Sequence, residues 1–365
     1  MQKNSDIYKL CLFSRHSRKG ASSRLRTMQY LGHLSSKGIS VDVFPFFNDL
    51  YLETLYKKHH RNVFLLILLY INRVKKILSV KKYHCIWIEK ELLPFLPGWI
   101  EVLFIYFNVP YVLDYDDATF HTYDNHKYAL IRFLLGGKLK KIIKNASVVI
   151  VGNSYLGEYM LKNGAKKVVI IPTVVDLQRY SRSPSKSTGG IRIGWIGTPN
   201  TVKYLNDILA SIQSISKLHD ITLVLIGVTD ININININIE CHDWSENTEV
   251  SILNSIDIGI MPLPDQLWER GKCGYKLIQY MALGKPVVAS PVGVNVDIVK
   301  PDVGFLATSL REWEEGLTLL CNSKELRVLF GNNARKSIRL NYTTQKTEGV
   351  LSDIFLEVLK KTAPK

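Results

Sequence analysis

Two glycine-containing turns in the second half of the sequence carry residues suited to holding a phosphate. The first is GTPNTVK, residues 197–203, and the second is ERGKCGYK, residues 269–276. Each turn ends an apolar segment and opens a helical pattern, so it aims a helix N-terminus, a hydroxyl or an ammonium at a shared ligand. Lys272 and Lys276 are four residues apart and lie on one helical face. Together the turns predict a diphosphate site.

Other kinds of site are disfavoured by what the sequence lacks. It contains no GxGxxG, no P-loop motif and no HExxH, which argues against a dinucleotide oxidoreductase, a P-loop enzyme and a zincin. The five cysteines are scattered, with no CxxC, as expected for a reducing compartment. The first residues contain no apolar run of signal-peptide length. We therefore expect a cytoplasmic protein.

The turns must be positioned by strands and helices, and these alternate through most of the chain. Such alternation is typical of βαβ units and parallel sheets. We predict an α/β protein with an N-terminal Rossmann-like domain (1–182), a linker (183–190), a second such domain (191–345) and a C-terminal helix (346–365) that packs back on the first. The alternating segment DININININIE, residues 230–240, is predicted to be an exposed edge strand.

The segment YKLIQYMALGKPVVASPV, with DIGIMPLPDQLWERGKCG before it, resembles the donor-binding signature of glycosyltransferase family 4, the group 1 glycosyltransferases. The resemblance covers most of the chain, residues 14–340. It implies the GT-B fold, in which two Rossmann-like domains face a central cleft, and transfer with retention of anomeric configuration. It also implies that a nucleotide-diphospho-sugar donor binds mainly to the second domain and the acceptor mainly to the first.

The resemblance extends to individual residues. The family's basic pair at the diphosphate corresponds to Thr198 and Lys203, so Lys272 is expected to replace the missing charge. Of the family's two glutamates around the donor helix, the ribose-binding one corresponds to Gln279 and the other to Gly271, with Glu269 close enough to reach the sugar. The predicted donor-binding residues are Gly20, Gly197, Thr198, Lys203, Lys272, Lys276 and Gln279.

Three carboxylates and a histidine follow a strand in the segment LDYDDATFH, residues 113–121. One interpretation is a metal site formed by Asp114, Asp116 and Asp117. The lysines of the second domain can neutralise a diphosphate without a metal, so we expect no metal cofactor. We expect instead that Asp117 and His121 position the acceptor hydroxyl, although helix capping by the aspartates is an alternative. The predicted catalytic residues are Asp117, His121 and Glu269.

The positive charge is concentrated in the first half of the chain. Residues 1–185 contain 28 Lys and Arg against 13 Asp and Glu, and the remainder contains 19 of each. Basic residues also flank the apolar run VFLLILLYI, residues 63–71, which is too short to span a bilayer. This segment is typical of a helix on an anionic membrane surface, the alternative being a buried helix with basic ends. The predicted acceptor or membrane contacts are Arg24, Lys57, Lys58, Arg61, Lys75 and Lys76.

The sequence therefore predicts a retaining glycosyltransferase at the inner face of the cell membrane. It would transfer sugar from a nucleotide-diphospho-sugar to a glycan or lipid-linked acceptor in surface polysaccharide synthesis. Two alternatives share this architecture: a nucleotide-sugar epimerase, and a pseudoenzyme that binds nucleotide sugars, suggested by Gly271 and Gln279. A nucleic-acid-binding protein is disfavoured because the basic half lacks interleaved aromatic residues and any standard binding motif.

Overall fold

The chain divides into two compact units. The computed structural model describes residues 8–58, 63–105, 109–182, 189–229 and 235–362. The first unit comprises Met1–Thr173 and Thr347–Lys365, and the second comprises Val174–Lys346. The first unit is therefore discontinuous in sequence, whereas the second is continuous.

The chain enters the second unit earlier than the expected boundary at residue 182. Val175 forms a parallel bridge with Thr343, and Tyr180 is buried in the core of the second unit. These contacts assign residues 174–182 to the second unit. Residues 183–188 of the expected linker lie outside the described parts of the chain.

The first unit contains a parallel sheet of six strands in the order β2-β1-β3-β4-β5-β6. The strands are mostly short apolar runs buried on both faces, which is typical of parallel sheets covered by helices. Their bounds are β1 Tyr8–Phe13, β2 Ile39–Val43, β3 Cys85–Glu89, β4 Tyr111–Tyr115, β5 Val148–Val151 and β6 Val168–Ile170.

Nine helices accompany this sheet in the described part of residues 8–173. Two short helices follow β1, and Thr27 lies at the end of the first, its hydroxyl donating to the Ser23 carbonyl. A short 3₁₀ turn separates the two pieces. The bounds are α1 Ala21–Arg26, α2 Leu31–Ser36, α3 Asp49–Lys58, α4 Val63–Leu78, α5 Gly98–Ile105, α6 His121–Asp124, α7 Ala129–Leu135, α8 Lys138–Asn145 and α9 Ser154–Lys162.

The second unit contains another six-stranded parallel sheet, in the order β12-β11-β10-β7-β8-β9. Successive residues of β8 enter different cores: Val224 and Ile226 belong to one, Leu223 and Leu225 to the other. Apolar layers therefore cover both faces of the sheet. The bounds are β7 Ile191–Ile196, β8 Ile221–Ile226, β9 Asn238–His242, β10 Ile258–Met261, β11 Val287–Ala289 and β12 Gly304–Leu306.

The helices of this unit are α10 Leu209–Ser216, α11 Glu249–Ser255, α12 Leu267–Arg270, α13 Tyr275–Ala282, α14 Asn295–Ile298, α15 Leu310–Asn322 and α16 Lys324–Asn341. The last helix, α17 Thr344–Thr362, begins in the second unit and lies mostly in the first. There Phe355 packs against Trp87 with ring centroids 5.0 Å apart, and Thr347 hydrogen-bonds Tyr30 at 2.8 Å. The predicted α/β class with two parallel sheets is confirmed.

The predicted edge strand at 230–240 is only partly observed. Residues 230–234 lie outside the described residues, and 235–237 are not in a strand. The strand β9 occupies Asn238–His242 and is the edge of its sheet. The alternating pattern therefore begins earlier in the chain than the strand itself.

The strand order of each sheet reverses direction beside its first strand. In the second unit, β7 lies between β8 and β10, so the connections that leave β7 and β10 run to opposite sides. Open α/β sheets bind ligands in the crevice at such a switch point. One predicted phosphate turn follows β7 and the other follows β10, so the sheet brings the two turns to the same edge.

Candidate functional site

Two closely packed glycines follow β7 and β8 at the carboxyl edge of the sheet. A Cβ on Gly227, whose φ is +92°, would lie 2.0 Å from the carbonyl oxygen of Gly197. A Cβ on Gly197 would in turn lie 2.3 Å from the indole of Trp195. Neither position has room for a side chain, so only glycine fits at the end of β7. Thr198, which follows, is exposed.

Lys276 lies in the first turn of α13 and contacts the Trp195 ring beside Gly197. Its ammonium is 4.4 Å from the ring centroid of Trp195, the same indole that Gly197 touches. Burial, with a smaller contribution from the charge of Lys272, lowers the pKa of Lys276 to about 7. The α13 helix begins after Gly274, which has a φ of +64°. The structure thus brings a half-buried cation and the end of β7 together, as the two turns predict.

Lys203 is exposed in a short 3₁₀ helix, Val202–Asp207, that replaces the α-helix expected there. Its ammonium is 5.5 Å from the ring centroid of the adjacent Tyr204. Lys272 is half-buried beside Gly271, on the loop that precedes α13. All three predicted lysines are therefore on loops or helix starts at the carboxyl edge of one sheet.

Glu269 is buried at this edge, with 5% of its surface exposed. Its Oε1 accepts a hydrogen bond from the hydroxyl of Tyr204. Its Oε2 is buried and has no hydrogen-bond partner among the described residues. The carboxylate predicted to reach the sugar is therefore held at one oxygen only. Neither Trp195 nor Tyr204 was singled out from the sequence, because their roles depend on contacts between separate turns.

Gln279 occupies a different environment from the one expected. It is 2% exposed, and its amide donates to the hydroxyl of Tyr180 at 2.7 Å. Tyr180 in turn donates to Glu249, which also accepts a hydrogen bond from Trp244. Gln279 is therefore part of a buried polar network, and its contact with a ribose stays a prediction.

The first unit carries an ion cluster at the carboxyl edge of its own sheet. The Lys90 ammonium lies 2.8 Å from Asp116 and 3.5 Å from Asp117. Although burial opposes it, Lys90 lowers the pKa of Asp116 to about 2. Lys90 itself has a φ of +65°, an uncommon conformation for a residue with a side chain. Asp117 is the more exposed of the two carboxylates.

The remaining carboxylate of this segment, Asp114, is paired with Arg26 at 2.9 Å, and both are buried. Burial raises the pKa of Asp114 to about 6, with Arg26 acting in the opposite direction. Within the described residues, no group of three or more His, Cys, Asp or Glu side chains is arranged to hold a metal ion. The three aspartates considered as metal ligands are instead neighbours of cations.

Both ring nitrogens of His121 have partners. Nδ1 lies 2.8 Å from Asp124, and Nε2 lies 2.8 Å from the hydroxyl of Tyr155. His121 would have to exchange one of these partners to contact an acceptor. Its role at the acceptor hydroxyl, like that of Asp117, stays a prediction.

The loop after β1 contains two of the predicted residues. Gly20 is buried directly before α1, where a Cβ would lie 2.3 Å from the Cβ of His16. Arg24 is 3% exposed, and its guanidinium donates to the carbonyl of Arg18 at 3.1 Å. The packing of α1 thus turns the Arg24 side chain inward, and its contact with an acceptor or a membrane stays a prediction.

The basic segment around α4 is partly described. Arg61 and the side chains of Lys57 and Lys58 lie outside the described residues. Lys75 and Lys76 are exposed near the end of α4. The same helix exposes a row of large apolar side chains: Phe64, Ile67, Leu68 and Ile71. Among the described helices, none has both the length and the apolar character needed to cross a membrane.

Comparison with known proteins identifies the second unit. Residues 190–322 match the family described as "Glycosyl transferases group 1". The matched region is similar to a group 1 glycosyltransferase domain. The turns that carry Lys203, Glu269 and Lys276 lie inside it, and the prediction of a glycosyltransferase is confirmed. The search of curated proteins finds no match.

Solved structures show that the whole chain has the predicted GT-B fold of glycosyltransferases. Sucrose-phosphate synthase from Thermosynechococcus elongatus is 14% identical with a TM-score of 0.72, and the match covers 97% of this chain and 100% of that one. Anabaena HepE in complex with UDP and glucose is 13% identical with a TM-score of 0.70, covering 96% and 100%. A variant of S. aureus TarM in complex with Fondaparinux, alpha-GlcNAc-glycerol and UDP is 16% identical with a TM-score of 0.56, covering 79% and 59%.

Proposed function

We propose that the protein is a retaining glycosyltransferase of family 4. It transfers a sugar from a nucleotide-diphospho-sugar to a glycan or lipid-linked acceptor in surface polysaccharide synthesis. The observation that carries this proposal is the position of Lys276, Glu269 and the tightly packed Gly197 at one edge of the sheet, within the region that matches group 1 glycosyltransferases. Similar folds have been solved with UDP-glucose and with UDP bound.

The donor site is suited to a leaving diphosphate. As the bond between the sugar and the diphosphate breaks, negative charge accumulates on the phosphate oxygens. A cation held in a partly dry site stabilises that charge more than a cation in water does. Lys276 supplies such a cation in its protonated form, since its ammonium lies against the Trp195 ring and its side chain is half-buried. Lys203 and Lys272 add positive charge from the neighbouring loops.

The same charges support transfer without a metal cofactor. Lys203, Lys272 and Lys276 all lie on loops or helix starts at the carboxyl edge of one sheet, and charge-assisted hydrogen bonds from ammonium groups can neutralise a diphosphate. In the first unit, by contrast, Asp114 and Asp116 are already paired with Arg26 and Lys90. Metal ions that bridge a diphosphate need accessible carboxylates, which these two do not offer in this conformation.

Binding and transfer can be tested separately. We expect one of a panel of UDP-linked, GDP-linked and other activated sugars to raise the melting temperature, since a ligand at 100 times its Kd stabilises the folded protein by about 2.7 kcal/mol. The same donor should then support sugar transfer, and Glu269→Gln should lower turnover while nucleoside diphosphate binding is kept. Lys217→Ala changes an exposed lysine of the same unit and serves as the control.

The alternatives predict different results in these assays. A pseudoenzyme would be stabilised by a donor but would neither transfer nor hydrolyse its sugar. An epimerase would change the sugar without an acceptor. If no activated sugar stabilises the protein, the donor assignment fails altogether.

We further propose that the first unit binds the anionic inner face of the cell membrane. Its α4 helix exposes an apolar row beside Lys75 and Lys76. In addition, α7 has no buried residue, and its Phe133 is 85% exposed. Apolar helix faces next to basic residues bind anionic bilayers by combining apolar burial with attraction to lipid head groups. The excess of cations lies in this half of the chain.

Sedimentation with liposomes tests this proposal. We expect binding to vesicles of anionic lipid and not to neutral vesicles, weakening as salt rises because charges are screened over about 8 Å at physiological ionic strength. Replacing Lys57, Lys58, Arg61, Lys75 and Lys76 by Gln should release the protein. A matched control replaces five exposed cations of the second unit: Lys217, Lys300, Lys324, Lys336 and Arg339. Equal binding of both variants would contradict the membrane proposal.

A further inference from the structure

The hydrogen bond between Tyr204 and Glu269 joins two loops that are far apart in sequence. The residues are separated by 65 positions and follow neighbouring strands, β7 and β10. Both side chains are buried, and the hydroxyl of Tyr204 donates to Oε1 of Glu269. The bond therefore spans the switch point of the sheet, where the ligand of an open α/β domain binds.

The other oxygen of the same carboxylate has a different status. Oε2 of Glu269 is buried and accepts no hydrogen bond from any described residue. A buried polar atom without a partner is costly, so native proteins retain few of them and often at functional sites. Oε2 accepts hydrogen bonds and cannot donate them while the carboxylate is ionised. The missing partner is therefore a donor, such as a hydroxyl.

The surroundings of Glu269 indicate which molecule carries that hydroxyl. Tyr204 directly follows Lys203, and the Lys203 ammonium lies 5.5 Å from the Tyr204 ring. One short 3₁₀ helix thus carries both a cation assigned to the diphosphate and the group that holds the carboxylate. A ligand that carries a diphosphate and a hydroxylated ring can contact both the Lys203 ammonium and the Glu269 carboxylate.

We propose that Tyr204 is a positioning residue, which fixes Glu269 so that its second carboxylate oxygen accepts a hydrogen bond from a hydroxyl of the donor sugar. This inference rests on the proposed function, because it takes the ligand to be a nucleotide-diphospho-sugar. It adds that sugar recognition depends on a tyrosine that does not touch the sugar. It also makes the contact selective, since a site built to bind a hydroxyl strongly rejects the analogue that lacks it.

The test compares a nucleotide sugar with its nucleoside diphosphate, because only the former carries the sugar. UDP-glucose and UDP are the first pair, followed by the other pairs of the stabilisation screen. We expect Tyr204→Phe to weaken binding of the nucleotide sugar by about tenfold or more. The bond lost on binding is the one between the sugar hydroxyl and the charged carboxylate of Glu269. Affinity for the nucleoside diphosphate should change by less than about twofold. That retained affinity also reports that the variant is folded.

A double-mutant cycle shows whether Tyr204 acts through the carboxylate. In a Glu269→Ala background, Tyr204→Phe should cause little further loss, because coupled residues are not additive. Among deoxy analogues of the sugar, the wild type should reject one position strongly, and both single variants should lose that discrimination. Tyr30→Phe is the matched control, since it removes another buried tyrosine hydroxyl bond, in the first unit.

Two sets of results would overturn the inference. If Tyr204→Phe weakened both ligands of the pair equally, or if the two substitutions were additive, Tyr204 would have only a structural role. The proposed function would survive that result, provided the wild type still bound and transferred a sugar. If no nucleotide sugar bound the wild type, the proposed function and this inference would fail together.

Discussion

Lys276 offers a direct test of the proposed diphosphate site, because its charge changes within the physiological pH range. With a pKa of about 7, the free lysine is about half charged at pH 7 and about one-tenth charged at pH 8. A bound diphosphate favours the ammonium and raises its pKa towards the ordinary value of about 10.4. Donor binding must therefore take up protons, and donor affinity must fall as pH rises above about 7.

The size of the effect follows from these two pKa values. If the bound lysine regains its ordinary pKa, affinity decreases by about 25-fold between pH 6.5 and 8.5. The side chain is only half-buried, so some hydration remains and we expect a decrease of between about fivefold and 25-fold. Proton uptake on binding should be about one at pH 8.5 and about one-quarter at pH 6.5.

Titration calorimetry in buffers of different ionisation enthalpy measures both quantities. A nucleotide sugar is the correct ligand, because both of its phosphates are esterified and neither titrates in this range. Lys276→Arg keeps the charge at every pH and should remove the dependence, whereas Lys276→Met should bind at least about tenfold more weakly at pH 6.5. If the wild type takes up no protons at pH 8.5, or Lys276→Arg retains the slope, Lys276 does not contact the diphosphate.

Three more predictions concern the same unit. Lys203→Ala should weaken donor binding or turnover by at least about tenfold, while Lys217→Ala should not; wild-type values in the first variant would remove Lys203 from the site. Full activity should survive EDTA, whereas loss with chelator and recovery with manganese would move the donor site to Asp114, Asp116 and Asp117 at the end of β4. Gly227→Ala should destabilise the protein by about 1–3 kcal/mol, because the new Cβ would lie 2.0 Å from a backbone oxygen. The control Gly349→Ala, in open space on α17, should not destabilise it. Equal melting temperatures for the two variants would contradict this packing argument.

The elements of the fold could be predicted from the sequence because they depend on local patterns. Apolar runs such as ITLVLI are buried on both faces of a parallel sheet, and the turns between them contain glycine. The segment after β1 forms two short helices separated by a 3₁₀ turn, a division that its composition does not reveal. The unit boundary was also missed, since the bridge between Val175 and Thr343 joins distant parts of the chain.

The site could be predicted only in part, for a similar reason. Lys276 and Gly197 were found because each lies in a turn with a recognisable composition. Arg24 and Gln279 have suitable chemistry and spacing, but the packing of their helices directs both side chains into the interior. The pairing of Tyr204 with Glu269 depends on the order of the strands in the sheet, which no local pattern encodes.

The discontinuity of the first unit has a consequence for how the chain is made. The first unit's residues up to Thr173 leave the ribosome before the second unit does, whereas Phe355, which covers Trp87, emerges only after it. The second unit, 174–346, is continuous and is complete while Trp87 still lacks that cover. The half synthesised second can therefore finish folding before the half synthesised first. A stop codon in place of Thr344 would remove almost nothing of the second unit, yet it would leave the first unit without α17.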